Sequence, residues 1–256
     1  MKGEKPSMDD TKIGVTGAGY DPAETYGKIL IMGRAQTGKT TVANHLAAIT
    51  GLKLLKTCTT RPRRSPEENT YHFYTPEEAM AIPMKDKFFY TVSVDGFERW
   101  TNRSDFLDAG IAVLDTVGAE QAVQIWRAQG YNVTLLYCEE PVETRRARWI
   151  SSTVRSDSPD AFDAALLNFN HREQIEAPGF DHLEQMIWTA QALEIDPEQH
   201  GCQTVYQADS LVIIQTSKTD MDAFFKNFTN RLIGRGGPPR HRLPRIPARP
   251  RSGPIP

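Results

Sequence analysis

Gly33-Arg34-Ala35-Gln36-Thr37-Gly38-Lys39-Thr40 is the stretch that decides how this chain is read. It has the form G-x-x-x-x-G-K-[ST] at every fixed position. A short apolar run, Lys28 to Met32 (KILIM), precedes it, and a stretch with helical spacing follows through Ala48. Strand, glycine loop and helix in that order form a phosphate cradle. Glycines let backbone N–H groups turn inward around phosphate oxygens, and the helix N-terminus adds positive potential at the same place. Gly33, Ala35, Gln36, Thr37, Gly38, Lys39 and Thr40 are therefore expected to bind the phosphates of ATP. Lys39 supplies a full charge to the outer phosphates, and the Thr40 hydroxyl is placed to reach a Mg²⁺ ion. Thr41 stands next in line, either as a further ligand or on the helix surface.

Outward from this loop, apolar strands of about five residues alternate with helical stretches. Strands are expected at Leu52 to Leu55, Phe88 to Val94, Gly110 to Asp115, Asn132 to Cys138 and Leu211 to Gln215. Helices are expected at Ala119 to Gln129, from Pro141 to about residue 150, at Asp160 to Glu176 and at Asp220 to Leu232. Alternation of this kind predicts an α/β fold, a parallel sheet covered by helices on both faces. The domain is expected over residues 27–233, between a flexible segment 1–26 and a disordered Pro/Arg-rich tail 234–256.

Composition narrows the function classes. The 256 residues carry 30 basic and 32 acidic side chains, for a net charge of −2. Residues 231–256 hold seven arginines and no acid, so the rest of the chain carries −9. No run approaches the roughly 18 apolar residues of a membrane helix, and the N-terminus lacks the apolar core of a signal peptide. Cys58, Cys138 and Cys202 are too few and too far apart for a disulfide framework or a zinc site. A cytoplasmic setting is expected. Nucleic acid could be engaged only through the basic tail.

A second loop, Thr57-Cys58-Thr59-Thr60-Arg61-Pro62-Arg63-Arg64-Ser65-Pro66-Glu67, is followed by Tyr71-His72-Phe73-Tyr74. Arginine forks match phosphate oxygens bidentately, and phenols and aromatic faces suit a phosphomonoester attached to a base. Together with the first loop, this T-T-R-P-R-R…E…Y-H-F pattern resembles guanylate kinases among the P-loop nucleoside monophosphate kinases. The resemblance spans roughly residues 28–175 and resumes at Leu211–Leu232. It implies a P-loop kinase fold with an acceptor-binding subdomain at about 57–102 and a lid at about 148–172. Thr57, Arg61, Arg64 and Tyr71 match the positions that hold the acceptor's monophosphate. Residues 177–207 are extra relative to a minimal member and are read as a packed insertion.

The resemblance also places Tyr90, Thr101 and Asp115 in the acceptor pocket. Tyr90 stands where the family has a guanine-reading acid, Arg99-Trp100 where it has a Tyr-Gly pair, and Val117 where it has a second acid. A tyrosine cannot accept from both guanine N1–H and N2–H₂, so GMP or dGMP is a first expectation and the base stays open. Trp100 could stack on that base. Asp115 ends a buried strand where α/β sheets bind ligands. It is a candidate for Mg²⁺ or the acceptor, with a helix N-cap as the competing reading. Arg148, Arg155 and Arg172 straddle a polar stretch and are the candidate lid arginines, beside Lys39 as catalytic groups. The expected partners are ATP with Mg²⁺ and a (deoxy)nucleoside monophosphate, with no prediction of oligomeric state. Two other readings stay open: a kinase acting on a modified base or on a nucleotide within a polynucleotide, and a non-catalytic binding module.

Overall fold

The computed structural model describes residues 21–63, 65–93, 96–154, 158–192 and 208–233. In chain order the elements are α1 (Pro22–Tyr26), β1 (Lys28–Met32), α2 (Lys39–Thr50), β2 (Cys58–Thr59), β3 (His72–Phe73), α3 (Pro76–Ala81), β4 (Lys87–Val92) and β5 (Glu98–Asn102). There follow α4 (Arg103–Asp108), β6 (Ile111–Val113), α5 (Thr116–Ala128), β7 (Val133–Glu139), α6 (Val142–Thr153), α7 (Pro159–Ala192), β8 (Ser210–Gln215) and α8 (Met221–Ile233).

All five residues of β1 are buried, as a strand covered on both faces requires. β1 pairs in parallel with β6 and β7, and β7 with β8, giving the order β6-β1-β7-β8. Side chains alternate across the sheet. Ile29 and Ile31 pack with Ala23, Leu46, Phe225 and Phe228 from α1, α2 and α8. Leu30 and Met32 pack with Ala122, Trp126, Phe180 and Leu183 from α5 and α7. Each such fully buried side chain contributes roughly 1.5–3 kcal/mol. The α/β architecture expected from the sequence is present.

A second sheet, in the order β3-β2-β5-β4, is antiparallel except between β2 and β3. It has its own small core of Cys58, Ala79 and Trp100. The expected strand at Leu52 to Leu55 is reduced to one parallel bridge, Leu54 to Ile111.

The helix expected to stop at Glu176 instead runs on as α7 through Pro178. Pro-Gly reads as a break because proline removes a helical hydrogen bond. Packing overrides it here: Phe180 and Leu183 join the main core, and Arg34 pairs with Asp181 and, at 2.9 Å, with Glu184. Gly179 permits the approach of α5, since a Cβ there would stand 2.5 Å from Thr116 Oγ1. The first part of the extra segment 177–207 is thus core helix. Its remainder from residue 193, with His200 and Cys202, lies outside the described residues, as do 1–20 and 234–256; residues 22–26 of the segment expected to be flexible form α1, with Ala23 and Tyr26 packed in the core. Among the described residues no helix is long and apolar enough to cross a membrane, and no group of three or more His, Cys, Asp and Glu side chains could hold a metal ion.

Candidate active site

The loop after β1 turns because three of its residues adopt positive φ. Gly33 lies at +144°, Gln36 at +64° and Gly38 at +85°. A Cβ on Gly33 would meet the Cys138 carbonyl oxygen at 2.3 Å, so glycine is required there by space as well as by conformation. Gly38 is the N-cap of α2 and contributes no side-chain cap. The first amides of α2 are therefore open toward an anion.

Lys39 donates to the Arg34 carbonyl at 2.5 Å. Burial pushes its ammonium down to about 8, with Glu176 and Cys138 acting in the opposite direction. Arg34 itself points away from the cavity onto α7. Its hydrogen bonds to Glu184 hold its charge firmly, so it ties the loop to that helix.

The loop forms one wall of a cavity of about 740 Å³. Gly33, Ala35, Gln36, Lys39 and Thr40 line it on this side. Thr57, Tyr71 and Thr101 line it on the side of the second sheet, and Asp115 lies in the wall as well. Arg172, Glu176, Trp149 and Thr153 bring α6 and α7 to it. The cavity therefore joins the two loops that stood apart in the sequence.

Other expected site residues stand elsewhere. Thr37 is buried and its hydroxyl donates back to the Arg34 carbonyl, which stiffens the loop. Thr41 is exposed. Arg61 is outside the wall, paired with Glu68 at 2.6 Å and donating to the Pro62 carbonyl at 2.7 Å. Arg148 donates to the Gln36 carbonyl at 3.0 Å and lies 3.5 Å from Glu140, so it supports the loop from behind. Arg64 and Arg155 lie outside the described residues.

Tyr90 is displaced from its expected place. The pairing of β4 with β5 shifts between Phe88 and Thr91, and Phe89 takes a positive φ of +52°. This bulge turns Tyr90 away from the position that the family pattern gave it. Phe89 and Thr91 face the cavity, while Tyr90 is 38 % exposed and lies under the Lys87 ammonium. Trp100 touches the cavity but is 1 % exposed, its ring against Tyr74 and its indole N–H donating to Asn102. It is chiefly the core of the small sheet.

Asp115 is the N-cap of α5 and also stands in the cavity wall. One oxygen, Oδ1, accepts the Gly118 N–H at 2.7 Å and caps α5, and the side chain also lines the cavity. Thr101 is fully buried, and its hydroxyl has no hydrogen-bond partner among the described residues. An unpaired buried hydroxyl costs roughly 1–3 kcal/mol.

Three groups were missed in the sequence. Glu176 places a carboxylate oxygen 3.1 Å from the Ala35 amide, inside the loop Gly33–Thr40, while its other oxygen accepts from Arg172 at 2.6 Å. Glu140, whose carboxylate is fully enclosed, accepts from the Ser217 and Thr216 hydroxyls at 2.6 and 2.5 Å. Burial raises its pKa, but these hydrogen bonds and Arg148 outweigh that and hold the carboxyl below its ordinary value. Its signal was present: an acid just beyond the end of a parallel strand, as at Asp115. Arg99 is the third, a half-buried guanidinium in the cavity wall.

No family model matches this chain, and no curated protein matches it. Among solved structures, guanylate kinase from Anaplasma phagocytophilum is similar over 83 % of this chain and 87 % of its own, at 17 % identity and a TM-score of 0.46.

Proposed function

We propose that the protein is a nucleoside monophosphate kinase that moves the γ-phosphoryl group of ATP to a (deoxy)nucleoside monophosphate. The observation that carries this is one cavity with a triphosphate-type cradle on one wall and hydroxyl-bearing strands on the opposite wall. A hydrolase would need only the first.

An oxygen of the acceptor's phosphate attacks the γ-phosphorus, the bond to the β–γ bridging oxygen breaks, and ADP leaves. Atoms balance without a protein nucleophile, so the chain's work is positioning and charge stabilisation. The loop amides and Lys39 hold the outer phosphates. Arg172 meets the charge that spreads over the γ-oxygens once it leaves Glu176. Trp149 and Thr153, from α6, narrow access of water to the cavity. Arg148 holds the loop's backbone, and Arg155, in the lid stretch, is a further candidate for the γ-phosphate. GMP and dGMP are the first acceptors to test. Phe89, at the bulge, brings no carboxylate to read guanine, so the base is left to experiment.

Thr40 Oγ1 and the Asp115 oxygen not used in capping are hard oxygen donors in one cavity. That fits Mg²⁺, which takes few protein ligands and keeps phosphate and water oxygens. These two residues would hold it, directly or through water, and the ion would neutralise charge on the β- and γ-phosphates.

The test is incubation of the full chain with ATP and each ribo- and deoxymononucleotide, with the products identified. One or more should yield the matching diphosphate together with ADP, and Lys39→Met should abolish it. Conversion of none of them would overturn the proposal.

A further inference from the structure

Arg99 is the cavity's guanidinium without a counter-charge: it has no ion pair or hydrogen bond among the described residues, whereas Arg172, the other arginine of the wall, is paired with Glu176. Strand register shows what surrounds it. Thr59 and Thr91 pair with Arg99, and Cys58 pairs with both Trp100 and His72. Paired residues share a face of the sheet, and neighbours in a strand alternate. Thr57, Tyr71, Thr91, Arg99 and Thr101 therefore stand on one face, and all five line the cavity. That face offers four hydroxyls and one fork of N–H donors. Among the described residues it offers no carboxylate.

We infer that Arg99, rather than Arg61, is the charge that anchors the phosphate monoester of the acceptor. The inference rests on the kinase reading and adds to it the residue that binds the second substrate. A phosphate dianion takes hydrogen bonds only as an acceptor, and a guanidinium can meet two of its oxygens at once. The Thr57, Tyr71 and Thr91 hydroxyls complete the set. Arg61 is already engaged: Glu68 and the Pro62 carbonyl hold it, and it lies outside the wall.

The experiment compares wild type with Arg99→Ala, Arg99→Lys and Arg61→Ala. It uses the full chain and the mononucleotide that wild type converts fastest. Three quantities are read: KM for that mononucleotide, Kd for ATP, and the inhibition constant of the corresponding nucleoside, which lacks the phosphate. Arg99→Ala should raise KM roughly 10- to 100-fold, with Arg99→Lys between it and wild type. ATP and nucleoside affinities should stay within about twofold, since the lost contact is to the phosphate alone. Three results would overturn the inference while leaving the kinase reading intact: an unchanged KM in Arg99→Ala, an equal loss of nucleoside affinity, or a larger loss in Arg61→Ala. A wild-type chain that converts no mononucleotide would overturn both, and is read before any variant is made.

Discussion

At Asp115 a single carboxylate meets two demands, and its two oxygens allow them to be separated. Oδ1 caps α5 through the Gly118 amide at 2.7 Å, and the side chain stands in the cavity wall. Asparagine keeps a capping oxygen and loses the charge, whereas alanine loses both. Asp115→Asn should keep the thermal stability of wild type while lowering kcat/KM roughly 10- to 100-fold. Asp115→Ala should do the same to activity and also cost about 1 kcal/mol of stability. Full activity in Asp115→Asn would reduce the residue to a cap. The loop Gly33–Thr40 was legible because its glycines, lysine and hydroxyl are each fixed by phosphate chemistry. Tyr90 was misplaced because its position was carried over from the family pattern, and the bulge at Phe89, which nothing in FFYTV announces, turns it out of the cavity. Arg99 was visible as a departure from the family pattern, but its lack of a partner is a property of three dimensions.

Among the elements, α7 is where local sequence and tertiary packing conflict. Pro178-Gly179 is a stop signal by itself, yet the helix continues because Phe180 and Leu183 are buried against the sheet. Gly179 is then a packing residue. Gly179→Ala should destabilise the protein by about 1–3 kcal/mol through its clash with Thr116. Thr116→Ala should recover part of that loss in a double mutant, as melting temperatures of the four proteins would show. α7 also brings Glu176 to the Ala35 amide in the loop Gly33–Thr40. Its charge opposes an incoming triphosphate, so Glu176→Gln should tighten ATP binding roughly 3- to 10-fold in calorimetry. Weaker binding would instead make Glu176 a support of the loop.

The junction of β7, α6 and the turn before α8 depends on a carboxylate. Glu140 binds Thr216 and Ser217, and these contacts hold its pKa below the ordinary carboxyl value. The unfolded chain therefore takes up the proton first as pH falls. The stabilisation is complete above the ordinary value and is lost as pH drops toward the lowered one. Melting temperature against pH should fall more steeply below about pH 5 in wild type than in Glu140→Gln. The variant should already be less stable at pH 7. Parallel curves at all pH values would show that Glu140 contributes no such linkage.

For the whole molecule, the near-neutral charge divides into an acidic body and a basic end. Residues 1–230 carry −9, so the cavity attracts anions by local placement of Lys39, Arg99 and Arg172 rather than by a general field. The parallel sheet and its helices were readable from the alternation of short apolar runs with helical spacing. Of the second sheet β4 was readable, but β2 and β3 were not, because they have two residues each and carry no periodicity. Yet that sheet supplies the wall facing the loop Gly33–Thr40, and in the kinase reading both walls serve one reaction. A dinucleoside pentaphosphate joining adenosine to the best acceptor nucleoside tests this directly, since it spans both walls at once. It should compete with ATP and with the mononucleotide alike, and bind at least about 100-fold more tightly than ATP. Binding no tighter than ATP, with no competition against the mononucleotide, would contradict a shared cavity.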